Sequence, residues 1–239
     1  MSDQTWLKLA EDAIALGKPD EAISCVENVT EKKSEHALRV AMEAHYRKML
    51  LCVDRLDWGN TYYHAELVRN CYIDLGFQFL PFDPKYRSDA RYYSQAARYH
   101  VAIDNDKYTE YAQSSLSSLK RQEDSEGNTP RDRLLLALIK CSYGDDPVSA
   151  QHELIELVDD EEYARTLADT EFGEQFHYHC AITHIADLYT SGPKKDLKKA
   201  MKYLQRGISV MSDKTIRAVE MYELKKYHRG IFGWKYVDS

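Results

Sequence analysis

The sequence predicts an all-α protein, an antiparallel bundle of stacked helix hairpins. Apolar residues recur at the helical period over long stretches, whereas the alternation and regular turns typical of strands are scarce. Glycine and proline, which interrupt helices, number only 10 and 6 among 239 residues. Helices that follow one another through short connections become antiparallel neighbours, so these observations together predict helix hairpins packed side by side.

Breaks in the helical pattern divide the chain into eleven predicted helices. Pro19 begins the second helix, and the prolines of LPFDP end the fourth. The polar stretch QEDSEGNTP is predicted to be a loop, and the acidic stretch DDEEYARTLADTE a solvated face. The predicted helices span residues 5–16, 19–33, 34–58, 63–79, 88–103, 107–122, 131–143, 147–158, 174–189, 196–211 and 213–229.

The amino-acid composition and charge argue against several classes of protein. Hydrophobic residues make up 44% and charged residues 30% of the chain, which is typical of a globular protein. The net charge of −7 argues against a nucleic-acid-binding protein, whose surface carries a basic footprint. No apolar run has membrane-spanning length, and the N-terminus lacks the order of a signal peptide. The five cysteines are scattered without a CxxC pair, so we expect free thiols and a cytoplasmic protein with no membrane contact.

A candidate anion site combines residues from two predicted helices. Lys48 and Arg55 lie seven residues apart on the third helix, which places them within about 20° of one face. Arg98 and Tyr99 lie within the apolar fifth helix, where a buried unpaired guanidinium would be costly. If these helices pack together, two guanidiniums, an ammonium and a phenol converge. Such a set binds the phosphate of phosphoserine or phosphothreonine.

A simpler interpretation of the same residues involves no ligand. Lys48 and Arg55 are then solvated residues at the edge of an apolar face. Arg98 pairs with one of the many acidic side chains of the chain, which number 39. The spacing alone does not distinguish this interpretation from a phosphate site.

The stretch YRKMLLCVDRLDW resembles the third helix of the 14-3-3 family. Lys48, Arg55 and Trp58 fall on the family's lysine, arginine and tryptophan, and Arg98–Tyr99 on the Arg-Tyr pair of its fifth helix. In collinear order, DEAISCVENVTEKK, PRDRLLLAL and THIADLYTS resemble parts of the second, seventh and ninth helices. The resemblance covers roughly residues 5–191.

This resemblance implies a nine-helix cup whose groove binds phosphoserine or phosphothreonine peptides. It implies Lys48, Arg55, Arg98 and Tyr99 as phosphate ligands. The implied function is that of a signalling adaptor that regulates phosphorylated client proteins by holding or masking them. Such a protein is not an enzyme and needs no cofactor and no metal.

The chain departs from the family pattern in three places. Ile139 and Ile185 replace the two groove asparagines that hold the peptide backbone. The stretch between Trp58 and Arg98 is shorter than in the family, which removes much of the hairpin that contacts the partner subunit in its homodimers. About 48 residues follow Ser191, so we expect a 14-3-3-like domain over 1–191 and an extension of about two helices over 192–239.

Two other classes stay open at this level. Two hairpins have tetratricopeptide-like spacing, around residues 6–22 and 189–200, which favours a tetratricopeptide or Sel1-like scaffold that binds unmodified partners. The stripe from His177 to Asp187 includes Cys180 and His184, four residues apart, and suggests a metal site or a helical enzyme. One helix rarely supplies a full ligand set, and no nucleophile–base pair or phosphate-binding glycine loop accompanies it.

Overall fold

The structure is a computed structural model that describes residues 1–75, 83–191, 195–213 and 215–216. The predicted all-α class is confirmed, because the described residues form eleven α-helices and no strand. A short 3₁₀ helix, Asp106–Tyr108, precedes α6. In chain order the helices are α1 Asp3–Ala15, α2 Pro19–Glu27, α3 Glu35–Asp54, α4 Trp58–Leu75, α5 Pro84–Asp104, α6 Thr109–Glu126, α7 Pro130–Tyr143, α8 Pro147–Asp159, α9 Glu161–Leu167, α10 Phe172–Ser191 and α11 Leu197–Val210.

The chain forms two compact units, Met1–Ser115 and Leu116–Ser239. This division lies within α6 and differs from the predicted boundary after Ser191. Within the second unit, α11 packs against α10. The second predicted helix of the extension, residues 213–229, lies almost entirely outside the described residues.

In the first unit, each helix packs against the next. The small α1–α2–α3 cluster has Leu7 and three fully buried alanines at its centre, Ala10, Ala22 and Ala37. Alanine at the contact points lets helix backbones approach closely. α4 packs against both α3 and α5, and Tyr46 of α3 donates a hydrogen bond to Asp89 of α5. These contacts fix where the predicted site residues lie.

The predicted third helix was too long, because a turn divides it. Leu56 has a φ of 54°, in the left-handed region. Its N–H bonds the Val53 carbonyl at 2.9 Å, and the Asp57 N–H bonds the Cys52 carbonyl at 2.9 Å. This pair of bonds is a Schellman motif, with leucine in the position that usually holds glycine. The hydrophobic period continues through the turn, so the sequence pattern did not indicate the break.

The acidic stretch near residue 160 was predicted to be a solvated face, but it contains α9. Asp160 caps this helix by accepting hydrogen bonds from the N–H groups of Glu162 and Tyr163 at 2.9 and 3.0 Å. Tyr163, Ala164 and Leu167 are buried on one side of it. Acidic side chains occupy the outer face of this short helix. Their number outweighs its three apolar residues in the sequence pattern, so the pattern did not predict a helix here.

The second unit is built around α10, which contacts α7, α8 and α11. Its apolar core includes Leu154, Ile182 and Phe176, each at most 1% exposed. Gly207 of α11 meets this core, because a Cβ placed on it would lie 3.0 Å from Cδ1 of Ile182. The close packing of α11 against α10 therefore depends on glycine, which has no side chain, at position 207.

We expect Gly207→Leu to destabilise the protein by about 1 to 3 kcal/mol, because the added side chain would push α11 away from Ile182. The matched control is Ser209→Leu, at an exposed position of the same helix. Urea unfolding followed by circular dichroism measures both changes. Equal unfolding free energies for the two variants would show that the α10–α11 contact tolerates a larger residue.

Candidate functional site

Lys48 lies on α3 with its side chain only 19% exposed. Its Nζ donates a hydrogen bond to a carboxylate oxygen of Asp20, on α2, at 2.7 Å. The Asp20 side chain is 73% exposed. An ion pair with so exposed a partner contributes little to stability and exchanges readily with solvent or another anion.

Arg55 caps the C-terminus of α3 and is exposed. No described residue forms a hydrogen bond or an ion pair with its guanidinium. The left-handed residue Leu56 turns the chain directly after it, and Asp57 then accepts hydrogen bonds from the backbone and side chain of Asn60. The tight turn thus leaves Arg55 at an open corner of the first unit.

Lys48 and Arg55 lie on either side of Cys52 along α3. Burial raises the pKa of the Cys52 thiol, as does Asp57, while the positive charges of Lys48 and Arg55 oppose that rise. Both cations are therefore within electrostatic reach of one side chain. The raised pKa keeps this thiol protonated, so it is not a reactive nucleophile.

Two histidines adjoin this corner. His64 Nδ1 lies 3.2 Å from His45 Nδ1, and their rings stack with centroids 5.3 Å apart. Burial, and then the charge of Lys48, lowers the pKa of His64. Burial, and then His64, lowers the pKa of His45 to about 4. Because both pKa values lie below the ordinary histidine value, both rings are neutral at physiological pH, and the Nδ1 that carries the proton donates to the other.

Arg98 has its hydrogen-bond donors directed at residues of the first unit. Its Nη1 donates to Ser114 Oγ at 2.9 Å, and its Nη2 donates to the Tyr62 hydroxyl at 3.1 Å. The guanidinium also lies over the Tyr62 ring, 5.0 Å from its centroid, and 4.0 Å from a carboxylate oxygen of Glu66. These contacts join α5 to α4 and to α6. They also compensate for the free-energy cost of placing a charged guanidinium in an apolar helix.

Tyr99 is 5% exposed. Its ring packs beside His100, with centroids 5.0 Å apart, and His100 stacks on Trp58 at 4.2 Å. Trp58 begins α4 and is itself buried. Tyr99 thus belongs to the aromatic packing between α4 and α5.

The four predicted phosphate ligands fall into two groups. Lys48 and Arg55 share one face of α3, near His64 of α4. Arg98 contacts Tyr62 of α4, which lies two residues and about 200° of helical rotation from His64. The described contacts do not join the two groups, and the convergence of all four on one phosphate stays a prediction.

The other residues singled out by the sequence lie in the second unit. Ile139 and Ile185 are fully buried in its core. His177 is also fully buried, and no described group of three or more His, Cys, Asp or Glu residues is placed to hold a metal ion. None of the five cysteines forms a disulfide with a described residue. No helix within the described part of the chain has the length and apolar character needed to cross a bilayer.

The sequence did not indicate which residues surround Lys48 and Arg98. Asp20, His64 and Tyr62 belong to helices other than those of the predicted ligands, and nothing in their spacing marks them as contacts. No protein-family model, curated protein or solved structure matches this chain.

Proposed function

We propose that the protein is an adaptor that binds a phosphoserine or phosphothreonine segment of a partner protein at Lys48 and Arg55. The observation that supports this proposal best is the corner at the C-terminal end of α3. There an exposed arginine without a described partner lies near a lysine whose only described anion is the exposed Asp20. The protein then acts by binding and not by catalysis.

The positive charges of Lys48 and Arg55 at the C-terminal end of α3 match the charge of one phosphate group. The Asp20 carboxylate, 2.7 Å from the Lys48 Nζ, occupies a position that a phosphate oxygen can take. A dianionic phosphate carries more charge than the carboxylate it would displace, and the planar Arg55 guanidinium can bind two of its oxygens. Displacing Asp20 costs little because its side chain is largely solvated.

A second candidate is a scaffold that binds unmodified partner segments. The contacts of Arg98 favour it, since the guanidinium donates to Ser114 and Tyr62 within its own unit. Arg98 then has a structural role. The two candidates differ in one property, which is the dependence of binding on the phosphate.

We expect wild type to bind a fluorescent phosphoserine peptide pool at least about tenfold more tightly than its unphosphorylated twin, as two charge-assisted contacts allow. Lys48→Ala/Arg55→Ala should abolish that preference. Asp20→Ala should strengthen phosphopeptide binding, because it releases Lys48 from its ion pair. Fluorescence anisotropy in a salt series measures all three, and the affinity should fall as salt rises.

The matched control is Arg39→Ala/Arg47→Ala, which removes two cations from the same helix. Each of these arginines pairs with a glutamate four residues earlier, Glu35 and Glu43. This control should keep the phosphate preference. Equal binding of both peptide pools would contradict the phosphate site and favour the scaffold, and no binding of either pool would contradict both candidates.

A further inference from the structure

Among the described residues of the second unit, the most apolar exposed surface runs along α11. It consists of Leu197, Met201, Leu204 and Ile208, which are 65%, 60%, 41% and 60% exposed. Their spacing of four, three and four residues places them in one stripe along the helix. We call this set the α11 stripe.

The α11 stripe is distinct from the face by which the helix is attached. Ala200, Tyr203 and Gly207 are the buried residues of α11. Gly207 meets Ile182 of α10, and the Tyr203 ring stacks on Tyr189 with centroids 5.9 Å apart. The helix therefore already has an apolar contact, and the α11 stripe is additional apolar surface that faces solvent.

Lysines accompany the α11 stripe at its N-terminal end. Four exposed lysines lie near the N-terminal end of the helix, with a single acidic residue among them, so the segment 195–202 has a net charge of +3. The whole chain has a net charge of −7, which makes this segment a local exception. Those lysines are Lys195, Lys198, Lys199 and Lys202.

Against the expectation from composition that the protein has no membrane contact, we propose that α11 is a peripheral membrane contact that docks on bilayers rich in anionic lipid. The α11 stripe would enter the boundary between headgroups and acyl chains, and Lys198 and Lys202 would remain at headgroup level, where long lysine side chains reach the phosphates. A cluster of lysines on an amphipathic helix attracts the anionic leaflet over about a Debye length, so the distant acidic residues of the chain do not cancel it.

The shape of the surface favours a bilayer over a partner helix. A partner helix would need an apolar groove to receive its side chains. Four of the six residues that line the concavity beside α11, of about 470 Å³, carry a charge and three of these are lysines, so it suits a partner that brings anionic groups: Asp196, Lys198, Lys199, Met201, Lys202 and Gln205. A bilayer needs no groove, because it accommodates a single exposed stripe along its surface.

A second copy of the chain suits this surface less well. Two α11 stripes in contact would bring the lysines of both copies together, and like charges in contact are unfavourable. The acidic residues of neighbouring helices that contact α11, Asp159 and Glu161, are already engaged by the Tyr203 hydroxyl at 3.1 Å and by Arg206 at 2.6 Å. Anionic lipid supplies the opposite charge that a second α11 lacks.

The test is co-sedimentation of the full chain with vesicles of phosphatidylcholine alone or with about 30% phosphatidylserine. We expect about tenfold more bound protein on the anionic vesicles and a loss of that excess at about 0.5 M NaCl. Leu204→Glu/Ile208→Glu should reduce binding to the level of neutral vesicles. Lys198→Gln/Lys202→Gln should weaken binding to anionic vesicles selectively.

The matched control is Leu9→Glu/Leu16→Glu, which makes the same substitutions at exposed apolar positions of α1 and its C-cap. It should bind as wild type does, and circular dichroism verifies that all variants remain helical. Equal sedimentation with both vesicles, or anionic binding that survives Leu204→Glu/Ile208→Glu, would overturn the proposal. The proposal would also be overturned if the wild-type protein were a dimer that Leu204→Glu/Ile208→Glu dissociates and that does not sediment with the vesicles.

Discussion

We expect the unfolding free energy to fall by about 2 to 3 kcal/mol per buried histidine between pH 7 and pH 4.5. His177 of α10 is fully buried, and burial lowers its pKa to about 3, although a hydrogen bond to the Gly173 backbone opposes the shift. In the first unit, burial and then the charge of His64 lower the pKa of His45 to about 4. Both values lie below the ordinary histidine value of 6.5.

The sign follows from proton binding. Between pH 6.5 and each lowered pKa, the unfolded chain binds a proton that the folded chain excludes. Stability is therefore highest above pH 6.5 and decreases as the pH falls through this window. Urea unfolding at several pH values, followed by circular dichroism, measures the slope.

His177→Leu should reduce this slope without abolishing it, because the variant no longer titrates at this position while His45, His64 and His184, whose pKa values are also lowered by burial, still do. The matched control is His152→Gln, at an exposed position of α8, which should keep the slope of wild type. An unfolding free energy that stays constant from pH 7 to pH 4.5 would show that neither histidine is excluded from solvent in solution.

We expect Gln175→Ala to destabilise the second unit by about 2 to 4 kcal/mol, since it removes three hydrogen bonds worth about 1 kcal/mol each. The Gln175 Nε2 donates to the Leu167 carbonyl at 2.9 Å. Its Oε1 accepts from the Ser212 N–H at 3.0 Å and from the Thr215 hydroxyl at 2.5 Å. Gln175 is 2% exposed and Thr215 fully buried, so water does not readily replace the bond between them, whereas the exposed Ser212 can turn to solvent.

The change should also loosen the segment that follows α11. Amide hydrogen exchange of residues 212–216 should accelerate in Gln175→Ala, because Gln175 connects this segment to α10. The control is Gln205→Ala, at an exposed position of α11, which should leave both stability and exchange near wild type. A destabilisation below about 0.5 kcal/mol would mean that the bonds to Gln175 contribute little.

Much of the fold was readable from the sequence because helices are local. α7 begins at Pro130, where Thr129 and Asp132 form a capping box, and both residues are recognisable from the sequence. Pro19 and Pro147 likewise mark the starts of α2 and α8. Boundaries failed where a signal was absent, as at Leu56, which ends α3 in a left-handed conformation that usually requires glycine.

The candidate site was predictable only in part. Helical spacing placed Lys48 and Arg55 on one face of α3, and both remain near Cys52. Spacing within a helix cannot reveal which helix lies opposite. α4 packs against α5 with Tyr62 directed at Arg98, so this arginine has contacts within its own unit that the sequence did not indicate.

The sequence by itself determined the helical class and most helix boundaries, because these depend on periodicity and local capping. Tertiary structure decided which residue each of the basic side chains Lys48 and Arg98 contacts. Asp20 lies 28 residues before Lys48, and Tyr62 lies 36 residues before Arg98, yet each pair is within 3.1 Å. Contacts between residues so distant in the chain depend on how helices pack, and packing depends on all the side chains of an interface together.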